Sequence, residues 1–314
     1  MLLIKNKSKT YNDVLYEWLE YKKNDVKEST YLKYLILINT YINDLLGNIK
    51  FKKLKNDDIK NFFKNETISN LSDSLKNNIF IILNASINYG LNKKYRKKLV
   101  IEKIQFKKIK NEVTYFTKKE EELLVNYLTN NMNLRNLIIL LALFSGLRIG
   151  EICALRWSDV DFINNTIIIN KTAQRIKDID ETSNSKTKLI VDKPKTTSSI
   201  RIVPIPEILV SILKEFKQEK DCYIFTNDTL IPKDPRAVEK YFASVLKKVG
   251  IKQLNFHSLR HTFATRLREQ KVDIKVISEL LGHSDWKITQ SIYVHASLDY
   301  KRDSVDTFNC YLPC

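Results

Sequence analysis

Along the first hundred residues the apolar positions recur at intervals of three and four, the spacing that gathers them on one face of a helix. Thr10 and Asp13 make a T-x-x-D start for a helix bearing Val14, Leu15 and Trp18. A longer helix is predicted over 29–46, with Leu35, Ile38, Ile42 and Leu45 as its buried stripe and Gly47 as its stop. A third, short helix follows Asn56, and a fourth begins near Ser72 and carries Ile79, Ile82, Leu83 and Ile87 ahead of Gly90. Residues 8–104 thus read as a small helical bundle. The stretch 105–116 holds Lys107, Lys108 and Lys110 and little that a core could use, which marks a basic linker.

The second domain is read as 117–314. Thr117 with Glu120 repeats the capping signature and opens a helix. Another helix runs over 134–145 to a stop at Gly146, and a further one from Arg148 to about Trp157. The pattern then changes: 166–171, 187–191 and 199–203 are rich in Ile, Val and Thr and read as strands. Asp234 followed by Pro235 is a helix start, and helical spacing continues almost to the end. The fold class is therefore α+β, a helical bundle followed by a mainly helical domain with a small antiparallel sheet. Trp157, Phe162 and Trp286 read as core.

Charge changes what this scaffold is for. The chain has 314 residues, 43% of them hydrophobic, and a net charge of +17. That excess points to a polyanionic partner. Roughly 23 lysines and arginines face about 11 carboxylates before residue 111, so about two-thirds of the excess positive charge lies in the first third of the chain. The run 93–98 is the densest part of it. The longest apolar run, 137–144, is too short to cross a bilayer and no signal-peptide pattern follows Met1, so a cytoplasmic location without membrane association is expected. Cys153, Cys222, Cys310 and Cys314 form no CxxC pair, and neither a metal nor a cofactor is expected.

Four segments of the second domain carry candidate chemistry: SGLRIGEICALRW, DKPKTTSSIRIVPIP, HSLRHTFATRL and LGHSDWKITQSIYVH. In order they supply Arg148, Lys195, His257 with Arg260, His283, and Tyr293. Together they resemble the tyrosine recombinase family of phage-type integrases, in which an Arg, a hairpin Lys, an H-x-x-R pair, a second His and a Tyr nucleophile come in this order. The resemblance extends over nearly the whole chain, since 8–104 also looks like that family's core-binding, SAM-like domain. It implies a site-specific recombinase that cleaves and rejoins duplex DNA through a 3′-phosphotyrosyl intermediate, as a homotetramer on paired sites that passes through a Holliday junction. For an element that integrates and excises, it also implies a directionality factor as accessory partner.

The residue types suit that chemistry. Arginine stays charged and can hold two phosphate oxygens at once, so Arg148 and Arg260 can offset charge on the non-bridging oxygens. His257 and His283 can bond the same phosphate or take the tyrosine proton. By the resemblance, Lys195 protonates the departing 5′ oxygen and Tyr293 attacks phosphorus. Glu151, three residues beyond Arg148, falls on the same helical face and buttresses it. His261 reads as structural. Exchanging one phosphoester for another conserves bond energy, so no nucleotide is consumed.

Three neighbouring readings share these residues: an Xer-like resolvase, a type IB topoisomerase and a catalytically silent DNA-binding regulator. The ten-residue interval from His283 to Tyr293 resembles the phage and conjugative-transposon branch, whereas the few residues ahead of the first helix give an Xer-like layout. Beyond the tyrosine, Val305, Phe308 and Leu312 make a narrow apolar stripe over 299–312, a tail expected to dock on a neighbouring protomer.

Overall fold

In the computed structural model, Thr10 and Asp13 close a reciprocal cap on α1 (Tyr11–Lys23): Asp13 N donates to Thr10 Oγ1 at 3.2 Å and Thr10 N to Asp13 Oδ2 at 2.7 Å. The structure describes residues 9–102, 104–106, 113–178, 185–194, 199–226 and 228–293, with backbone alone at 288 and 291–293. Among these residues no helix is long and apolar enough to cross a membrane. Lys195 and the tail expected over 299–312 lie outside the described residues. The chain divides into two units, 1–111 and 112–314.

In the first unit α2 (Glu28–Leu37) continues to Gly47 as a π-helix. The wider i→i+5 turn shifts the buried stripe from the one that regular helical spacing predicts. Ile38, Ile42 and Leu46 are buried at four-residue steps, while Leu45 is turned outward and exposed. Then come α3 (Asn56–Lys64), a single turn α4 (Glu66–Ser69) and α5 (Asp73–Asn92), which Ser72 caps by accepting from Leu75 N. Gly90 does not stop α5. It lies inside the helix, where a Cβ would meet the Phe51 ring at 2.5 Å, so its lack of a side chain lets Phe51 reach the core.

The second unit begins along its own helices. Phe116, read as linker, is fully buried, and its N–H donates to Thr262 Oγ1 at 3.0 Å while its carbonyl accepts from Arg266 Nη2 at 2.7 Å. Burying the ring stabilises this segment by roughly 2 kcal/mol before entropy. Phe106, at the other end of the stretch, packs on Phe63 and Phe80 within the first unit. Thr117 and Glu120 form the expected cap on α6 (Lys118–Asn130). The apolar α7 (Leu134–Ser145) is the central core helix and ends at Gly146, whose φ of +64° is left-handed. A Cβ there would lie 2.4 Å from Phe263, a second reason for glycine.

The strands form two sheets rather than one. β1 (Val160–Asp161), β2 (Thr166–Ile169) and β5 (Arg201–Pro204) make an antiparallel sheet in the order β1-β2-β5, with Ile169 opposite Arg201. A separate hairpin pairs β3 (Thr172–Lys177) with β4 (Thr187–Asp192), Gln174 opposite Ile190. β3 has only Ala173 and Ile176 as buried apolar residues, too few for local pattern to reveal; its partner strand makes it a strand. After α9 (Glu207–Glu215) come α10 (Pro235–Val249), α11 (His257–Glu269), α12 (Ile274–Leu281) and α13 (Trp286–Tyr293). Asp234 caps α10 through Arg236 N, as its sequence predicts. Trp157 is buried, but Trp286, on the first turn of α13, is 39% exposed and is no core residue.

Candidate active site

Arg148 stands just before α8 (Ile149–Cys153), a helix far shorter than a run to Trp157. Glu151 reaches back to accept from Arg148 N at 2.9 Å and from Arg148 Nη1 at 2.8 Å. This is half of a capping box, since an arginine has no acceptor to return the bond. The Glu151 residue is 4% exposed, whereas the Arg148 side chain is 36% exposed and faces outward from its carboxylate partner. Burial raises the Glu151 carboxyl, but the Arg201 hydrogen bonds and the charges of Arg201 and Arg148 outweigh it and hold the group below the usual carboxylate range.

Arg260 lies three residues into α11, where Asn255 Oδ1 takes the Ser258 N–H of the first turn. Its guanidinium is buried and donates to Gly146 O at 2.8 Å, Leu281 O at 2.7 Å and the His283 Nε2 atom at 2.8 Å. Arg148 Nη2 donates to Gly282 O at 3.2 Å. The left-handed Gly282, φ +64°, ends α12 and turns the chain into His283. Gly146, read as a stop, and Gly282 thus supply backbone carbonyls to the two arginines.

His283 is bonded on both ring nitrogens, Nε2 to Arg260 and Nδ1 to Thr289 Oγ1 at 2.7 Å. Arginine can only donate, so Nε2 accepts and the proton sits on Nδ1. Burial first, then Arg260, Arg148, His257 and Arg201, lower its pKa to about 4. His257 is lowered by burial, then by Arg260 and Arg148. His261 packs edge-on against it with ring centroids 4.6 Å apart and is lowered to about 4 by burial, then by His257 and Arg260. Burial and the neighbouring guanidiniums both favour the neutral imidazole at these positions. Thr289, buried on α13, lies one turn before Tyr293, which ends that helix.

The fold therefore brings together Arg148, Glu151, His257, Arg260 and His283, with the backbone of Tyr293 on the adjoining helix. Sequence reasoning missed Arg201. It bonds both Glu151 oxygens, at 3.1 and 2.9 Å, and Leu280 O at 2.7 Å. Its partners are distant in the chain, and the only local signal was its place on a strand after DKPKTTSSI. Among the described residues no group of three or more His, Cys, Asp or Glu is placed to hold a metal ion.

The chain is similar to known proteins over nearly its whole length. Residues 114–299 match the model of the phage integrase family, and 10–67 match the N-terminal SAM-like domain of phage integrases. A XerC-like tyrosine recombinase of Caldanaerobacter subterraneus subsp. tengcongensis is 31% identical over 96% of this chain and 83% of its own length. The ICEBs1 integrase of Bacillus subtilis is 25% identical over the same shares. In fold, the chain is similar to the Tn1549 transposon integrase in complex with a circular-intermediate DNA, with a TM-score of 0.77 and 22% identity over 96% of this chain and 100% of that one. The helical first unit and the mixed second unit have the fold of DNA-acting integrases. The chain belongs to the phage integrase family of tyrosine site-specific recombinases.

Proposed function

We propose that the cluster around the end of α12 is the recombination centre and that Tyr293 is its nucleophile. The observation that carries this reading is the convergence of Arg148 and Arg260, from two separate elements, on the turn 280–283 that carries His283. A scissile phosphate entering there meets the two guanidiniums, which offset charge on its non-bridging oxygens. His257 and His283, neutral before DNA arrives, bond that phosphate or take the phenol proton. The tyrosine oxygen forms a bond to phosphorus as the bond to the 5′ oxygen breaks, and Lys195 supplies the proton that oxygen needs. The product is a 3′-phosphotyrosyl link and a free 5′ hydroxyl. A 5′ hydroxyl from a second duplex reverses the step and joins new strands.

The biological reading is integration and excision of a mobile element, by a homotetramer on paired duplex sites with a directionality factor. The histidine-to-tyrosine interval and the integrases among the similar proteins support it. We assign the first unit to core-site DNA binding, the stretch between Phe106 and Phe116 to the linker and the second unit to catalysis. Incubating the protein with nicked site DNA in excess chelator should trap a covalent complex in wild type and none in Tyr293→Phe. An adduct that persists in Tyr293→Phe moves the nucleophile elsewhere.

A further inference from the structure

Arg201 contributes no group to the proposed transfer, yet its side chain is only 7% exposed and makes four hydrogen bonds. Nε donates to Leu280 O at 2.7 Å, Nη1 to Glu151 Oε1 at 3.1 Å and Ser199 O at 3.2 Å, and Nη2 to Glu151 Oε2 at 2.9 Å. Its N–H groups are thus held by fixed protein acceptors on two other segments of the chain. Arg260 holds Leu281 O and Arg148 holds Gly282 O. Three arginines therefore occupy three successive carbonyls at the end of α12, the acceptors a helix terminus leaves unsatisfied and the end its dipole makes negative. One comes from β5, one from α11 and one from the turn before α8.

We infer that Arg201 is a positioning residue of the recombination centre: through Glu151 it fixes Arg148, and through Leu280 O it fixes the turn that delivers His283. Glu151 has two oxygens to share. Oε1 accepts from Arg148 Nη1 and Arg201 Nη1, and Oε2 from Arg148 N and Arg201 Nη2, so Arg201 sets the plane of the carboxylate against which Arg148 is aligned. Gly282 is part of the arrangement, since a Cβ there would stand 2.9 Å from Arg201 Nη1. A fork that must grip a phosphate in flight works only if it is aligned beforehand. Arg201 is also the first residue of the strand that follows Lys195, so the same side chain anchors that strand to the site.

The inference rests on Arg148 and Arg260 being phosphate ligands, and the test separates the two. DNA affinity and single-turnover covalent-complex formation are measured for wild type, Arg148→Ala, Arg201→Lys, Arg201→Met and the pair Glu151→Gln with Arg201→Met. The pair leaves no buried charge without a partner and so keeps the fold if Arg201→Met alone does not. Arg201→Met should cleave on the order of 10- to 100-fold more slowly, with affinity within about twofold of wild type, because misalignment costs rate rather than binding. Arg201→Lys should recover only part of the rate, since one ammonium cannot span both Glu151 oxygens and Leu280 O. The pair should be no slower than Arg201→Met, the mark of two residues acting as one unit. A 5′-bridging phosphorothiolate substrate should restore none of the loss. Wild-type cleavage in any folded variant lacking Arg201, a loss in affinity alone, or full phosphorothiolate rescue would overturn the inference. If Arg148→Ala itself cleaves normally, the phosphate-ligand reading fails; if Arg148→Ala is inactive and the Arg201 variants are not, only the role of Arg201 falls.

Discussion

Replacing Glu151 by Ala removes a carboxylate that accepts four hydrogen bonds, two from Arg148 and two from Arg201. The two arginines should respond differently. Arg148, with its side chain 36% exposed, can turn to water, and its share of the loss is small, under about 1 kcal/mol. Arg201, 7% exposed, keeps its charge where water cannot reach it; removing one partner of such a pair costs about 3–5 kcal/mol. Against a typical domain stability of about 5–15 kcal/mol, Glu151→Ala should remove from about a fifth to all of the stability of the second unit. The pH dependence follows from the depressed Glu151 carboxyl. A carboxylate whose folded pKa lies below its unfolded value stabilises fully above the unfolded pKa and loses that contribution as pH falls through the folded one. Wild type and variant should therefore differ most near neutrality and converge in acid. Urea unfolding followed by Trp157 fluorescence, with Trp18→Phe and Trp286→Phe in both proteins, isolates the second unit. A difference below about 1 kcal/mol at neutral pH, or one that does not shrink in acid, would refute the argument that Glu151 neutralises buried charge.

Other outcomes follow from the same geometry and charge. Lys195→Ala should cleave ordinary DNA poorly but recover on a 5′-bridging phosphorothiolate, whose leaving group needs little protonation, while Arg148→Ala should not; equal rescue would contradict the division of roles. DNA binding should take up protons at pH ~5.5, because a bound phosphate offsets the arginine charges that, together with the larger effect of burial, lower His283 to about 4; calorimetry in buffers of different ionisation heat reads this, and no uptake would place the phosphate elsewhere. A chain lacking residues 1–111 should show a shallower dependence of log affinity on log salt, and equal slopes would mean that the first unit is not the main phosphate grip.

What the sequence disclosed and what it hid divide along the range of the interactions. The caps at Thr10, Thr117 and Asp234 were legible because each is complete within three residues. The left-handed stop at Gly146 was legible for the same reason, though not that its carbonyl would serve an arginine. Leu45 was misread because the π-helix changes the period on which the stripe was reckoned. Phe116 and Trp286 exchanged their expected environments because tertiary packing, not their neighbours, decides burial. Arg201 was hidden most completely, since Glu151 lies fifty residues before it and Leu280 seventy-nine after.

The central claim is tested most directly by locating the covalent bond. Wild-type protein trapped on nicked site DNA is digested with nuclease and trypsin, and the nucleotide-bearing peptide is sequenced by mass spectrometry. Cleavage after Lys287 and Lys301 leaves one peptide, 288–301, that holds both Tyr293 and Tyr300. The nucleotide is predicted on Tyr293 through a 3′-phosphate; its attachment to Tyr300, to a residue outside this peptide or through a 5′-phosphate would contradict the account.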